Sequence, residues 1–354
     1  MKVLFVISDL GLGGAQRVIS ILSNHWAKQS INKVSIITFR NFPSVYDLSN
    51  VNRIKLNIPK SKKLKFTENY TRIKKLRAAF KECSPDVIIS FITENNILAI
   101  LASRYTNIPI IISERSNPFV EKLSLPWVIL RKICYPFADL LVLQTEGVKQ
   151  FYKNYNIEKA NIKNPLSLIG TKEKEKKEKI IISTGRLTPS KNFDLLIRSF
   201  AKLSNRTGWR LIILGEGSDR MRLEDLIKEL SLASSVTLKG SVENIFEWLM
   251  NSEIFVLLSK YEGYPNALIE AMASGLAVIS NDCDFGPAEI IMHNQNGLLV
   301  NAQNEKEVIR SMEELIANSE KRKQLGSKAK EICSSLNIES IALKWEQAIA
   351  NIKQ

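Results

Sequence analysis

Short apolar runs alternate with amphipathic stretches along the whole chain, and this alternation predicts the fold. In the first half, apolar runs indicate strands at Lys2–Ser8, Val34–Phe39, Val87–Ser90, Ile110–Ser113 and Leu140–Leu143. A helix is predicted between the first two, from Ala15 to Lys28. Continuously apolar strands separated by helices are typical of a parallel sheet covered on both faces.

The same pattern starts again near residue 180. Helices are predicted over Phe193–Leu203 and Met221–Leu230. Strands are predicted at Ile180–Thr184, Arg210–Leu214, Val236–Lys239, Ile254–Leu258, Ala277–Ser280 and Gly297–Val300. Two successive doubly wound α/β units are the simplest account of this repetition.

A linker separates the two series of strands. Residues 164–179, NPLSLIGTKEKEKKEK, begin with Asn-Pro and continue as a charged run, which is linker composition. We therefore expect a first domain at 1–165 and a second at 166–337. A last helix within 338–354, carrying Trp345, is expected to pack back across the linker. The length of 354 residues suits two domains of ordinary size.

Composition limits the cellular compartments in which the protein is expected. The chain is 45% hydrophobic and 24% charged, enough to bury a substantial core. Its four cysteines lie far apart and it has two histidines, which argues against a zinc site and for a reducing environment. The opening MKVLFVISDL indicates a strand rather than a signal peptide, and no apolar run approaches the roughly 20 residues that span a bilayer. A cytoplasmic protein, soluble or peripheral, is expected.

Positive charge is confined to the first half. Residues 1–165 hold 25 Lys and Arg against 11 Asp and Glu, whereas residues 166–354 hold 25 of each kind. This asymmetry predicts an anionic partner for the first half, either nucleic acid or an acidic lipid surface. Charge alone does not choose between them.

Two glutamates frame the strongest motif. Residues 261–275, YEGYPNALIEAMASG, place Glu262 in a loop and Glu270 on a helix that starts near residue 266. The two carboxylates can then reach different parts of one ligand. Backbone N–H groups at the helix start suit an anion; they belong to Asn266, Ala267 and Leu268. On spacing alone, a turn-capping Glu262 and a solvated Glu270 are the commoner arrangement.

A second motif carries two cations on one loop. Residues 184–192, TGRLTPSKN, bring Arg186 and Lys191 together before a helix that Asn192 is expected to cap. Such a pair forms a diphosphate clamp, with charge-assisted contacts worth roughly 1.5–3 kcal/mol each. Two solvated loop cations are the alternative.

Together these strings resemble the retaining glycosyltransferases of family 4, whose hallmark is the E-x7-E spacing of Glu262 and Glu270. The resemblance covers essentially the whole chain. It implies a GT-B fold, in which two Rossmann-like domains face a cleft and the first binds acceptor, the second nucleotide sugar. It also implies that Glu262 contacts the donor sugar, Glu270 the ribose hydroxyls, and Arg186 with Lys191 the donor diphosphate.

Three further strings match the family more loosely. LGEGSDR, residues 214–220, is implied to lie near the donor through Gly215, although a Gly-Glu-Gly turn is often only a turn. GSVEN, residues 240–244, is implied to line the base through the backbone near Val242. In GPAEII, residues 286–291, Glu289 is implied to lie near the nucleotide.

The first domain offers a glycine-rich loop, GLGGAQR, at residues 11–17. Gly13 and Gly14 allow close approach of backbone to a ligand. NAD binding is disfavoured because Gln16 replaces the last small residue of the fingerprint and the next strand ends without an acid. The resemblance implies instead that this loop lies near the donor diphosphate and the acceptor.

The string SERSNP, residues 113–118, departs from the family pattern. Many relatives have a histidine in this loop where this chain has Arg115. Either Arg115 binds a diphosphate of donor or acceptor with Glu114 orienting it, or it forms a structural salt bridge. The role that this histidine has in relatives is therefore not transferred to Arg115.

The mechanism implied is substitution on one face of the sugar. Neither His25 nor His293 lies in a motif that looks catalytic, although a carboxylate could also serve as a base. The resemblance implies that the departing diphosphate takes the acceptor proton while Arg186 and Lys191 stabilise its charge. Glu262 would hold the sugar. No Asp-x-Asp motif is present, and neither a cofactor nor an essential divalent cation is expected.

The resulting hypothesis is that the chain transfers a hexose or N-acetylhexosamine from a nucleotide diphosphate sugar, expected to be UDP-linked, to a lipid-linked glycan in bacterial O-antigen or lipopolysaccharide synthesis. Two basic stretches, residues 60–81 and Phe119–Phe137, suit the anionic inner face of the membrane, unless both simply pack on the first sheet. A phosphorylase or nucleotide-sugar epimerase is the alternative enzyme. No nucleic-acid module is recognisable, so no specific nucleic-acid partner is expected.

Overall fold

The computed structural model describes residues 1–11, 13–29, 33–58, 65–166, 177–283 and 286–352. The chain forms two compact units, one of Met1–Ser167 with Leu336–Gln354 and the other of Leu168–Ser335. Each unit contains one parallel β-sheet with helices.

The first unit contains a seven-stranded sheet in the order β3-β2-β1-β4-β5-β6-β7, with all neighbours parallel. Its strands are β1 Lys2–Ile7, β2 Lys33–Thr38, β3 Asn52–Lys55, β4 Val87–Phe91, β5 Ile110–Ser113, β6 Leu140–Leu143 and β7 Lys159–Asn161. The five predicted strands are present and largely buried. The edge strands β3 and β7 were not predicted, because NRIK and KAN are polar and only half-buried.

Six α-helices lie in the described residues of the first unit. They are α1 Gly14–Ala27, α2 Lys65–Cys83, α3 Thr93–Ser103, α4 Leu125–Cys134, α5 Glu146–Phe151 and, from the end of the chain, α13 Ile338–Asn351. Aromatic rings fix α1 and α13 to the sheet: Trp26 stacks on Phe5 at 5.9 Å and Trp345 on Phe91 at 6.1 Å. The indole N–H of Trp26 also donates to Glu346 at 2.8 Å, so the last helix is part of this core.

The second unit contains a six-stranded sheet in the order β10-β9-β8-β11-β12-β13, again parallel throughout. The strands are β8 Ile180–Thr184, β9 Arg210–Leu214, β10 Val236–Gly240, β11 Ile254–Leu257, β12 Ala277–Asn281 and β13 Leu298–Val300, and all six had been predicted. Its helices are α6 Phe193–Ala201, α7 Arg220–Glu229, α8 Ile245–Asn251, α9 Asn266–Ala273, α10 Glu305–Ala317, α11 Ser319–Lys330 and α12 Ile332–Leu336.

Strand order reverses once in each sheet. β1 lies between β2 and β4, and β8 lies between β9 and β11. In doubly wound sheets, ligands bind outside the carboxyl ends of the strands at such a reversal, because the flanking loops separate there. The loops that follow β8 and β11 carry the two strongest sequence motifs, so the fold places both at this point of the second sheet.

Candidate active site

An ion pair joins the two motif loops of the second unit. Lys191 ends a 3-10 turn, Pro189–Lys191, that follows β8, and Glu262 lies in the loop after β11. Lysine Nζ lies 2.6 Å from glutamate Oε1, with the two side chains 22% and 10% exposed. The backbone N–H of Lys260 also donates to the carbonyl of Ser190 at 2.8 Å. Two residues that the sequence assigned separately to sugar and diphosphate therefore form one charge-balanced unit.

Arg186 supplies a second cation on the same loop. Its side chain is exposed, and it forms no ion pair with a carboxylate in the described ranges. The loop therefore presents one paired cation, Lys191, and one open to a ligand. Both remain within the stretch between β8 and α6 that the sequence selected.

Asn192 corrects one detail of this loop. It occupies the N-cap position of α6, as predicted, but its side chain makes no capping hydrogen bond. The physical reason is its backbone: φ is 57° and ψ 34°, a left-handed conformation, whereas a side-chain N-cap needs an extended one. The residue serves as a turn between Lys191 and the helix.

The Gly-Glu-Gly turn packs directly against the Arg186 loop. The N–H of Gly185 donates to the carbonyl of Leu214 at 3.0 Å, and that of Gly215 to Gly240 at 2.8 Å. A Cβ on Gly215 would lie 1.9 Å from the carbonyl oxygen of Gly185, and one on Gly217 would lie 2.2 Å from that of Leu187. Both glycines are therefore required for close packing of backbone on backbone beside Arg186.

Helix α9 begins at Asn266, as predicted, and carries Glu270 one turn later with only 5% of its surface exposed. The expectation of three unpaired N–H groups at its start was wrong for Asn266. Its N–H donates to the carbonyl of Tyr264 at 2.9 Å, because the chain turns tightly through Pro265. Ala267 and Leu268 stay in the first turn, where N–H groups have no carbonyl four residues earlier inside the helix.

The loop after β12 supports Glu262 from the other side. Burial, with the carboxylate of Glu262 as the next cause, raises the pKa of the Cys283 thiol to about 12, so this thiol stays protonated at neutral pH. A Cβ on Gly286 would lie 2.8 Å from Cδ of Pro265, which places the GPAE turn tightly against the Glu262 loop. Sequence reasoning missed Cys283, whose only signal was its place after a strand adjacent to β11.

The two remaining residues that the sequence placed near the donor lie in loops that follow the carboxyl ends of β10 and β12. Val242 is half-buried in the loop between β10 and α8. Glu289 is exposed at the end of a 3-10 turn, Pro287–Glu289.

In the first unit, a tyrosine fixes the glycine-rich loop. The N–H of Gly13 donates to the hydroxyl of Tyr46 at 3.3 Å, and that hydroxyl donates to the carbonyl of Gly13 at 3.1 Å. Gly14 is the first residue of α1. The loop thus sits after β1, at the strand-order reversal of the first sheet, where the sequence placed it.

Glu114 is buried, with 2% of its surface exposed. Its carboxylate accepts hydrogen bonds from Thr93 at 3.0 Å, from Asn96 at 3.4 Å and from the Tyr135 hydroxyl. Burial, followed by the nearby carboxylate of Glu121, raises the pKa of Glu114 to about 7, against the opposing hydrogen bonds. These contacts correct the expectation that Glu114 orients Arg115: its oxygens point into a buried network.

Arg115 occupies an aromatic and amide environment. Its guanidinium lies 4.7 Å from the ring centre of Phe91 and donates to the side-chain oxygen of Asn164. Stacking on Phe91 holds the guanidinium near the carboxyl end of β4.

A cavity of about 290 Å³ opens at the strand-order reversal of the first sheet. Its lining is mixed in charge and comprises Ser8, Phe39, Arg40, Arg72, Ile92, Thr93, Glu94, Asn95, Glu121, Lys122 and Leu123. Ile92 has a φ of 77°, a left-handed value that a β-branched residue rarely adopts, at the point where β4 ends. Cations, carboxylates and one aromatic ring therefore surround a space of small-ligand size.

Comparison with known proteins decides the family. A family model described as Glycosyltransferase Family 4 matches residues 12–163, and one described as Glycosyl transferases group 1 matches residues 167–332. A Campylobacter jejuni protein is 31% identical over 100% of this chain and 99% of its own length. This chain belongs to glycosyltransferase family 4. The relative is named GalNAc-alpha-(1->4)-GalNAc-alpha-(1->3)-diNAcBac-PP-undecaprenol alpha-1,4-N-acetyl-D-galactosaminyltransferase.

Two further proteins extend the comparison of this glycosyltransferase. A second C. jejuni relative, N-acetylgalactosamine-N,N'-diacetylbacillosaminyl-diphospho-undecaprenol 4-alpha-N-acetylgalactosaminyltransferase, is 31% identical over 92% of each chain. The crystal structure of HepE from Anabaena in complex with UDP superposes with a TM-score of 0.81, covering 99% of this glycosyltransferase and 100% of HepE at 16% identity. That likeness is one of fold, and it confirms the predicted GT-B class for the two Rossmann-like units.

Proposed function

We propose that this glycosyltransferase moves an N-acetylhexosamine or hexose from a UDP-linked donor to a lipid-linked glycan, with retention at the anomeric carbon. The observation that carries the proposal is the Lys191–Glu262 pair, held at 2.6 Å at the strand-order reversal of the second sheet. The two C. jejuni relatives, both named for undecaprenol-diphosphate-linked acceptors and N-acetylgalactosaminyl transfer, support the sugar and acceptor classes.

Donor binding exchanges partners within the pair. A nucleoside diphosphate brings phosphate oxygens to Arg186 and to the ammonium group of Lys191, which has three N–H donors. A phosphate then competes with Glu262 for those donors, so one carboxylate oxygen turns to the hydroxyls of the donor sugar. Glu262 and Lys191 thereby hold the two sides of the bond that breaks.

The nucleotide is held from helix α9. Glu270 accepts hydrogen bonds from the ribose hydroxyls, since a carboxylate offers two oxygens to a neighbouring pair of O–H groups. The N–H groups of Ala267 and Leu268 face phosphate with the positive end of the helix dipole behind them. Backbone near Val242 and Gly215 closes the site around the base and the diphosphate.

The chemical step forms and breaks bonds on one face of the sugar. The bond from the anomeric carbon to the diphosphate oxygen breaks, and the acceptor oxygen bonds to that carbon from the same side. The acceptor proton passes to the departing diphosphate, whose growing charge Arg186 and Lys191 stabilise. Positioning and electrostatics supply the catalysis, so no protein nucleophile or divalent cation takes part in this scheme.

The acceptor belongs to the first unit in this proposal. The cavity beside β1 and β4 offers Arg40 as a hydrogen-bond donor and Glu94 as an acceptor, a pair that suits sugar hydroxyls. Arg115 lies after the neighbouring strand β5, where it contacts a diphosphate of the acceptor or donor. Gly14 at the start of α1 completes this side. The enzyme works from the cytoplasm at the anionic inner face of the membrane.

The test is a screen of the purified chain against UDP-sugars, with a polyprenyl-diphosphate-linked oligosaccharide as acceptor. We expect UDP release from one donor only when acceptor is present, and loss of that release in Glu262→Gln and Lys191→Ala. Lys228→Ala is the matched control, because Lys228 pairs with Asp225 on the exposed surface of α7. The magnetic resonance spectrum of the product then gives the anomeric configuration, and an inverted product contradicts retention.

Two outcomes would contradict the proposal and favour one of the two alternative sugar enzymes. Sugar transfer that needs inorganic phosphate indicates a phosphorylase, and conversion of the donor without any acceptor indicates an epimerase. Activity that disappears with a chelator and returns only with a metal ion would contradict the metal-independent scheme.

A further inference from the structure

Exposed apolar side chains are concentrated in one short segment of the first unit. Among the described residues, fifteen large hydrophobic side chains are exposed, and seven of them fall within residues 119–137. They are Phe119, Val120, Leu125, Val128, Ile129, Ile133 and Phe137. Single exposed hydrophobic residues are ordinary, but a contiguous patch marks a surface that something covers.

Helix α4 produces this patch by turning its apolar side outward. Leu125, Ile129 and Ile133 follow one another at intervals of four residues and are 71%, 50% and 57% exposed. The opposite side of the helix buries Arg131, which is 4% exposed, pairs with Glu121 at 3.5 Å and stacks on Phe151 at 5.0 Å. A helix whose outer side faces water has the reverse distribution, with charge outside and apolar residues inside.

Within residues 119–137, the charges that face outward are positive. Lys122 and Lys132 are the exposed charged residues of the segment, and its single acid, Glu121, is turned inward to Ser116 and Arg131. At the far end, the guanidinium of Arg104 lies 3.9 Å from the ring centre of Phe137. An apolar stripe bordered by Lys122, Lys132 and Arg104 matches an anionic lipid surface, where the apolar groups enter the headgroup–acyl boundary. Two exposed carboxylates, Asp86 and Asp139, line a cavity with Arg104 and Phe137 at the far end of the stripe.

Helix α2, the other basic stretch that the sequence put forward, behaves differently. Its apolar residues Leu76, Ala79 and Phe80 are buried in the first unit. Among its described side chains, only Tyr70 is a large exposed hydrophobic residue. The apolar side of α2 is thus already used by the core, although its composition resembles that of an amphipathic surface helix.

We propose that the outward side of α4, with Phe119, Val120 and Phe137, is the surface by which this chain docks on an anionic bilayer. Lys122, Lys132 and Arg104 contact the lipid headgroups. With ten residues, α4 lies in the interface. A bilayer-spanning helix is not found in the part of the chain that the structure describes. That this docking brings the enzyme to a lipid-linked acceptor rests on the proposed function. The binding of α4 to the bilayer does not rest on it.

The test compares full-length variants in flotation with vesicles of phosphatidylcholine alone or mixed with phosphatidylglycerol. We expect the wild type to float with the mixed vesicles, and Ile129→Glu with Ile133→Glu to lower the partition coefficient by about tenfold or more. The matched control is Met221→Glu with Leu343→Glu, two residues that are 78% and 54% exposed elsewhere. Lys122→Gln with Lys132→Gln should reduce binding to the mixed vesicles and its dependence on salt.

Several outcomes overturn the proposal. One is a doubly substituted α4 variant that floats as the control does. Another is a wild-type dimer that the same substitutions dissociate without any lipid binding, which makes a second copy of the chain the occupant. If Ile129→Glu with Ile133→Glu fails to fold, Ile129→Ser provides the milder variant. Wild-type flotation without sugar transfer to any acceptor contradicts the proposed function and leaves the docking surface standing.

Discussion

The ammonium group of Lys191 lies 2.6 Å from a carboxylate oxygen of Glu262, although the two residues are 71 positions apart in the chain. The contact exists because β8 and β11 are adjacent and parallel, so the loops that leave their carboxyl ends meet. One partner suits a diphosphate and the other a sugar. In the proposed function, the pair links recognition of the two halves of a nucleotide sugar.

Substitution of Lys191 and substitution of Glu262 should affect UDP binding differently. Lys191→Met removes a charge-assisted contact worth roughly 1.5–3 kcal/mol, so the dissociation constant should rise about 10- to 150-fold. Glu262→Gln removes the competing carboxylate, so UDP should bind as tightly as before or more tightly while sugar transfer is lost. Isothermal calorimetry with UDP measures both. Weaker UDP binding in Glu262→Gln would show that the acid supports the nucleotide directly.

Arg186 should contribute to diphosphate binding by its charge and should contribute little to the stability of the fold. Because its side chain is exposed, Arg186→Ala should leave the thermal midpoint within about 1 °C of the wild type, as surface changes of a few tenths of a kcal/mol do. UDP affinity should nevertheless fall about tenfold. Arg198→Ala, on the exposed side of α6, is the control with unchanged affinity. UMP, which lacks the second phosphate, should distinguish the two variants less well.

Gly215→Ala should damage the Arg186 loop. A Cβ at this position would lie 1.9 Å from the backbone oxygen of Gly185, so the loop must shift. Gly208→Ala is the control: its φ of 76° is also positive, but its nearest contact would be 3.7 Å, to a flexible lysine side chain. Gly208→Ala carries a left-handed backbone cost of about 1 kcal/mol, and Gly215→Ala, at a φ of 135°, carries at least that cost. Only Gly215→Ala should also lose UDP affinity, and equal loss in both would contradict the role given to the close packing.

Glu114 should make the first unit less stable as pH rises. Its pKa is raised from 4.5 to about 7 by burial first and by Glu121 second, so the folded chain holds a proton that the unfolded chain has released. Stability from this group is complete below about pH 4.5 and is lost as pH rises through about 7, by on the order of 1–3 kcal/mol. Glu114→Gln can still accept the Tyr135 and Thr93 hydrogen bonds but has no charge to bury.

Thermal unfolding at pH 5.5 and pH 8 tests this sign. The midpoint of Glu114→Gln relative to the wild type should be higher at pH 8 than at pH 5.5. Glu313→Gln is the comparison, because Glu313 is exposed and the Ser204 hydroxyl and N–H lower its pKa. A difference between Glu114→Gln and wild type that does not change with pH would mean that Glu114 is not protonated in the folded chain at the lower pH.

The interior of both sheets was accessible to sequence reasoning. All eleven predicted strands are present. The strands that are buried at every residue, β4, β5, β6, β8 and β11, need an unbroken apolar run, which makes them recognisable in the sequence. The two strands that were missed, β3 and β7, lie at an edge of the first sheet, where half-buried polar residues give no such signal. The motif loops were also found, since they follow those strands directly.

Contacts between distant loops were not accessible. Nothing in the string around Arg186 indicates that Lys191 pairs with Glu262, that Gly215 packs on Gly185, or that Asn192 turns left-handed. Nor did proximity in sequence reveal the partners of Glu114, whose carboxylate turns to Tyr135 and not to the adjacent Arg115. These relations depend on which strands are neighbours.

By itself, the sequence determined that the chain builds two parallel sheets and which loops carry the charged groups. The reason is that a buried strand requires apolar residues at successive positions, and this pattern can be recognised in the sequence. It did not determine which of two basic amphipathic stretches keeps its apolar side free. Both α2 and α4 have suitable composition, yet Phe80 is buried and Ile133 is exposed. Only packing against the rest of the first unit decided this, since a helix pattern defines an apolar side but not the surface that covers it.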